Sequence, residues 1–97
     1  MKILEETDNF IVVYFEQREW FFEKENIITK LINIKKQKVI LDMTDIFILN
    51  SLMITILLKV REFFDKNNID FVLRNVEKKI IKLFELMMIS YFFKIEE

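Results

Sequence analysis

The stretch VILDMTDIFILNSLMITILLKVREFF, residues 39–64, decides how this chain folds. It opens with a β-branched, apolar run that is typical of a buried strand. Thirteen uncharged residues then lie between Asp45 and Lys59, and Asn50 and Ser51 interrupt them. Because Asn and Ser are favoured helix N-caps, the pair predicts that a helix begins there. The stretch therefore predicts a strand, a connecting loop and a helix.

The second half of the stretch has the period of an amphipathic helix. Apolar residues recur at spacings of three and four after Ser51, which gives the helix one continuous apolar face. Asn67 and Asn68 are predicted to end this helix, because Asn tolerates the left-handed C′ position and the chain contains no Gly. The apolar face consists of Met53, Ile56, Leu57, Val60, Phe63 and Phe64.

Strands and helices alternate along the rest of the chain. Strands are predicted at residues 2–6, 10–15, 38–43 and 69–73, and helices at 21–34, after Ser51 and after Asn75. This alternation implies right-handed crossovers and a largely parallel sheet. The prediction is one α/β domain over residues 1–97, with a four- to five-stranded, mostly parallel sheet and helices packed against it.

The composition excludes most catalytic chemistry. The chain has no Cys and no His, which excludes a disulfide, a Cys/His zinc site and a His-assisted nucleophile. Lys and Arg number 15 and Asp and Glu number 16, so a net charge of −1 does not draw the chain to a phosphate backbone. The sequence predicts a binding protein and not an enzyme, without cofactor, metal or nucleic-acid partner.

The amino-terminal residues MKILEETDNF are charged and lack the apolar core of a secretion signal. The uncharged run of thirteen residues is shorter than the roughly twenty apolar residues that a membrane-spanning helix needs. We therefore expect a cytoplasmic protein that does not insert into membranes.

The segments VILDMTDIFILNSLMITILLKVREFF and IDFVLRNVEKKIIKLFELMMISYFFKI resemble a STAS domain, the family of sulfate transporters and anti-sigma factor antagonists. The family pattern is a strand ending in Asp, an apolar stretch, and Asp-Ser opening a helix. A strand, an Asn-Val cap and a helix reading Leu-Phe-Glu-Leu follow. The corresponding residues are Asp42, Asn50-Ser51, Asn75-Val76 and residues 83–86, and the resemblance covers residues 38–95.

The resemblance implies a regulatory function. In freestanding members, an anti-sigma factor with serine kinase activity phosphorylates the Ser at the start of this helix and then releases the antagonist. A phosphatase reverses the change. By position that Ser is Ser51, so the resemblance implies an anti-sigma factor antagonist whose partners are a serine kinase and a phosphatase.

Three residues depart from the family pattern and support an alternative. Asn50 stands where the family usually has Asp, and Met53 and Thr55 replace residues that are usually Gly. A STAS adaptor that is never phosphorylated, such as the small subunit of a lipid-transport ABC complex, is the alternative function. Ser51 would then be a helix cap only, a role that Asn50 could fill equally well.

Helical spacing independently indicates a partner surface. Ser51, Ile54 and Leu58 fall on one line at positions i, i+3 and i+7, beside the polar face that carries Thr55. Ile54 and Leu58 are therefore predicted to be at least partly exposed next to the hydroxyl. The predicted partner-binding residues are Asn50, Ser51, Ile54, Thr55 and Leu58, and a homodimer is compatible with the same reasoning.

Two other features have simpler interpretations. Asp42 and Asp45 flank Thr44, and we interpret them as turn caps and not as magnesium ligands. We interpret the adjacent Met87 and Met88 as flexible core filling near the carboxyl terminus.

Overall fold

The computed structural model describes residues 1–96, which form a five-stranded sheet with helices packed on it. The strands follow chain order across the sheet, with β1 antiparallel to β2 and all other neighbours parallel. The strands are β1 (Lys2–Glu6), β2 (Phe10–Tyr14), β3 (Lys38–Asp42), β4 (Asp70–Arg74) and β5 (Lys94–Glu96). The helices are α1 (Gln17–Phe22), α2 (Lys24–Ile32), α3 (Ser51–Lys66) and α4 (Lys78–Leu86), with a 3-10 turn at Ser90–Phe92.

The architecture confirms the predicted α/β fold, and the tail of the chain supplies the fifth strand. The helix predicted over residues 21–34 is instead two helices, because the backbone breaks at Glu23 with φ −132° and ψ 37°. The apolar pattern hides this break, since the buried residues Trp20, Ile27 and Leu31 are seven and four positions apart, as in one continuous helix. Within residues 1–96, every helix is too short or too polar to cross a membrane.

All helices cover one face of the sheet. Each parallel connection joins neighbouring strands, and right-handed crossovers that advance in one direction place their helices on the same side. The main core accordingly contains helix residues such as Leu57 together with strand residues such as Leu41. The opposite face has a separate small apolar cluster of Val12, Ile40 and Val72. This topology places the amino-terminal ends of the helices at the carboxyl edge of the parallel strands.

The end of α3 confirms the role predicted for the two asparagines. Asn68 has φ 56°, in the left-handed region. Its N–H donates to the Asp65 carbonyl at 3.2 Å, and the Ile69 N–H donates to the Phe64 carbonyl at 2.8 Å. These two bonds form a Schellman motif, which satisfies carbonyl groups that the helix leaves without a partner.

The end of α4 repeats the same motif with methionine. Met88 has φ 59°, its N–H donates to the Glu85 carbonyl at 3.0 Å, and the Ile89 N–H donates to the Phe84 carbonyl at 2.9 Å. The interpretation of Met87 and Met88 as core filling is wrong, because their exposed fractions are 42% and 86%. Ile89, the residue after the left-handed turn, packs against the main core, whereas Met88 itself is exposed.

The Glu19 carboxylate closes the first turn of α1. Its Oε2 accepts a hydrogen bond of 2.7 Å from the Glu16 N–H, and its Oε1 lies 3.3 Å from the amino-terminal ammonium of Met1. Burial raises the pKa of Glu19, but the hydrogen bond and the ammonium outweigh burial and hold the pKa below its ordinary value. The ionised carboxylate is therefore the form that stabilises the fold.

We predict that Glu19→Gln lowers the free energy of unfolding by roughly 0.2–1 kcal/mol at neutral pH, because Gln can keep the capping-box hydrogen bond but loses the ion pair with the amino-terminal ammonium. A group whose pKa is lowered by folding contributes stability above its unfolded pKa and loses it as the pH falls through the folded pKa. Urea unfolding of both proteins should therefore show a difference that shrinks between about pH 5 and pH 3. An equal difference at neutral and acidic pH would contradict this role.

Candidate functional site

The Asp42 carboxylate fixes the start of the loop that leaves β3. Its Oδ1 accepts hydrogen bonds from the N–H and the hydroxyl of Thr44, at 2.8 and 2.5 Å. Its Oδ2 accepts a hydrogen bond of 3.2 Å from Asn75 Nδ2, which connects the end of β3 to the end of β4. Asp42 is therefore a buried turn cap, as the sequence predicted, and both of its oxygens are engaged.

Gln17, the first residue of α1, holds the apolar part of the same loop. Its Oε1 accepts hydrogen bonds from the Phe47 and Ile48 N–H groups at 2.9 and 3.1 Å. Its Nε2 donates to the Ile48 carbonyl at 2.9 Å. Sequence reasoning missed Gln17, because these contacts span 30 and 31 positions and no local pattern indicates them.

Asn50 is the N-cap of α3. Its Oδ1 accepts a hydrogen bond of 2.9 Å from the Met53 N–H, and its backbone carbonyl accepts one of 3.0 Å from the Ile54 N–H. Ser51 follows as the first residue of the helix and is exposed. Among the hydrogen bonds within residues 1–96, none involves the Ser51 hydroxyl. Asn50 therefore performs the capping and leaves the hydroxyl of Ser51 accessible.

The electrostatic environment of Ser51 suits an anion. The helix macrodipole is equivalent to roughly half a positive charge at this end, and the first N–H groups of a helix have no partner inside it. The first turn of α3 contains no acidic residue that would repel a negative charge added to Ser51. An anionic group on the Ser51 hydroxyl would therefore lie near favourable backbone dipoles.

One predicted partner-binding residue is not exposed. Ile54 has an exposed fraction of 3% and belongs to the main core, so the prediction that it lies on the surface is wrong. The reason is that α3 packs against α2 as well as against the sheet, and that Ile54 joins the same core cluster as Ile80 and Phe84 of α4. Leu58 is half-buried against the core, whereas Asn50 and Thr55 are exposed.

Three other apolar residues, all within four positions of Ser51 in the sequence, are exposed. The exposed fractions of Phe47, Ile48 and Leu52 are 58%, 57% and 54%. We call these three residues with Ser51 the junction surface. A groove of about 770 Å³ adjoins it between α2 and α3, and its lining includes Leu52, Thr55 and the exposed Phe22.

The fold and this junction define the class of protein. A sequence model of the STAS domain family matches residues 2–97, so the chain belongs to the STAS domain family. The matched range includes the amino-terminal strands and helices as well as residues 38–95, which carry the motifs of the family. No curated protein matches the chain by sequence.

Several solved structures share the fold. Protein TM1081 of Thermotoga maritima superposes with a TM-score of 0.76 over 96% of this chain and 83% of its own, at 13% identity. RsbS of Moorella thermoacetica gives 0.71 over 98% and 84%, at 16% identity. The anti-sigma factor antagonist SpoIIAA in its unphosphorylated form gives 0.70 over 99% and 87%, at 11% identity. Phosphorylated SpoIIAA of Bacillus gives 0.64 over 99% and 90%, also at 11%.

The two residues at the junction should differ in their effect on stability. We predict that Asn50→Ala lowers the free energy of unfolding by about 1 kcal/mol, because the Met53 N–H loses its partner. Ser51→Ala, the matched control, should change it by less than about 0.5 kcal/mol, as expected for an exposed residue without a capping role. Urea unfolding at neutral pH measures both, and equal losses would show that the two side chains share the cap.

Proposed function

We propose that this chain is an anti-sigma factor antagonist of the cytoplasm that acts by binding and not by catalysis. Its partner would be an anti-sigma factor with serine kinase activity, which phosphorylates Ser51 and is then released. A phosphatase would restore the binding form. One observation carries the proposal: the Ser51 hydroxyl is exposed at the start of α3 while Asn50 caps the helix. Membership of the STAS family and likeness to the antagonist SpoIIAA support it.

The junction surface gives the partner an apolar area to bind. Phe47, Ile48 and Leu52 are each more than half exposed, and Gln17 fixes the backbone of the first two. Apolar anchors held on a rigid backbone are typical of the residues that contribute most to a protein interface. Asn50, Thr55 and the half-buried Leu58 would form the rim of this interface, whereas Ile54 would support it from the core.

Phosphorylation would disrupt such a complex without unfolding the domain. A phosphoserine adds a charge of about −1.5 to −2, which the free N–H groups at the start of α3 would stabilise. A partner that covers Phe47 and Leu52 would also have to remove water from the phosphate on Ser51. An unpaired buried charge costs several kcal/mol, and each 1.4 kcal/mol weakens binding about tenfold.

The alternative function is that of a constitutive STAS adaptor, such as the small subunit of a lipid-transport ABC complex. Asn50, Met53 and Thr55, which replace the usual Asp and Gly residues of the family, favour it. Such an adaptor would use the same junction surface without modification, and its partner would be the ATPase of a membrane complex.

We predict that a serine kinase of the anti-sigma type binds wild-type protein and the Ser51→Ala variant. The Ser51→Asp variant should bind at least about tenfold more weakly, because its carboxylate would be buried by the partner. The measurement is a pull-down from native lysate with protein identification, followed by titration of the purified partner. Thr29→Asp, which adds the same charge to an exposed position on α2, is the matched control and should bind like wild type.

The outcomes separate the two functions. Phe47→Asp should weaken binding of the partner whichever of the two functions is correct, because it removes an apolar anchor of the junction surface. If Ser51→Ala and Ser51→Asp retain the same membrane-complex ATPase equally, the protein is an adaptor and Ser51 is not a switch. Thermal melting of each variant establishes that lost binding does not result from lost folding.

A further inference from the structure

The end of α4 and the 3-10 turn that follows it form a second exposed apolar surface. Leu86, Met88 and Tyr91 are exposed by 82%, 86% and 94%, and Met87 and Phe92 by 42% and 43%. We call these five residues the terminal patch. They lie within seven consecutive positions, so the patch is contiguous along the chain. Scattered surface apolar residues are common, but a cluster of this kind marks an interaction site.

The backbone does not explain why methionine occupies the centre of the patch. Met88 and Asn68 take the same left-handed conformation in the same Schellman motif, with φ 59° and 56°. Asn is the better residue there, because its short polar side chain tolerates positive φ and interacts with water. The chain thus places a long apolar side chain at the end of α4, in the position where α3 has Asn68. We infer that Met88 serves a contact outside its own chain.

The size of the terminal patch fits a protein interface. With side-chain areas of about 150–250 Å² for an aromatic residue and somewhat less for Leu and Met, the patch exposes roughly 600 Å². A standard interface buries about 800 Å² per partner, or about a tenth of a small protein's surface. The accessible surface of this protein is 6225 Å². The exposed area of the terminal patch is therefore close to one tenth of the protein's surface, as an interface of standard size requires.

The charges at the rim indicate what covers the patch. The groove beside Tyr91 and Phe92 is lined by two basic and two acidic residues, so its charges balance. These charged residues, which we call the rim, are Arg61, Lys94, Asp65 and Asp70. A negatively charged membrane would require an excess of basic residues. Lys94 and Asp70 pair with each other at 2.6 Å within the chain. Arg61 and Asp65 have no ion-pair partner within residues 1–96, so Arg61 of one copy can face Asp65 of another across a two-fold axis.

We propose that the terminal patch is the interface of a homodimer related by a two-fold axis. A groove of about 410 Å³ beside Tyr91 and Phe92 supports this, because it offers space for a side chain of the second copy. The Arg61 guanidinium lies 5.2 Å from the centre of the Phe92 ring and forms one wall of this groove. Each copy thus presents both projecting side chains and a groove, as an isologous interface requires.

The dimer interface and the junction surface lie at opposite edges of the sheet. Ser51 follows the carboxyl end of β3, whereas α4 runs back and ends near the amino end of β5. Both surfaces can therefore be occupied at once. The proposed dimer does not depend on the proposed regulatory function. A result that contradicts one of these proposals does not contradict the other.

We predict that sedimentation velocity over a concentration series shows a reversible dimer of the wild-type chain. Met88→Asn keeps a residue suited to the left-handed position and should weaken the dimer roughly tenfold or more, without lowering the melting temperature. Tyr91→Lys should weaken it at least as much, because it places a charge in the interface. Leu52→Gln, which removes an exposed apolar residue of the junction surface, is the control and should leave the dimer unchanged.

Cross-linking tests the same contact independently. Because the chain contains no cysteine, a single Met88→Cys substitution introduces the only thiol. A bis-maleimide cross-linker, which does not require the two thiols to lie at disulfide distance, should then give a covalent dimer. Leu52→Cys should remain monomeric under the same conditions. A wild-type chain that stays monomeric at every concentration, or a dimer that Met88→Asn and Tyr91→Lys do not weaken, would overturn the proposal. Binding of a monomer to phosphatidylglycerol vesicles through this patch would overturn it as well.

Discussion

The hydrogen bond from the Met53 N–H to Asn50 Oδ1 is the interaction on which the candidate site depends. It fixes where α3 begins, and it leaves the hydroxyl of Ser51 outside the capping arrangement. Asp42 and Gln17 hold the other parts of the same loop through six hydrogen bonds with Thr44, Asn75, Phe47 and Ile48. A partner that bound here would therefore meet a preformed surface, and little conformational entropy would be lost on binding.

Local signals allowed most of the fold to be predicted. The apolar run before Asp42, the helical period after Ser51 and the Asn pair that ends α3 each act over a few residues, and the structure confirms all three. The burial of Ile54 could not be predicted, because it depends on a core shared with residues distant in sequence, such as Ile80 and Phe84. The hydrogen bonds of Gln17 were missed for a similar reason, since they join residues 30 and 31 positions apart.

The parallel sheet separates two surfaces with different chemistry. Helix starts gather at the carboxyl edge of the strands, where unpaired N–H groups and the dipole favour an added negative charge. The terminal patch lies at the other edge, where α4 ends with the exposed Met88. The proposed modification of Ser51 would thus change binding at one edge while the proposed dimer contact at the other edge persists.

The most direct test of this account is two-dimensional NMR of the protein carrying phosphoserine at position 51, compared with the unmodified protein. The account predicts chemical-shift changes confined to residues 47–55 and Gln17, together with loss of the anti-sigma partner, because the phosphate is held by the start of α3. Changes that spread through the strands, or unchanged partner affinity, would contradict a switch that acts at the surface of an intact fold.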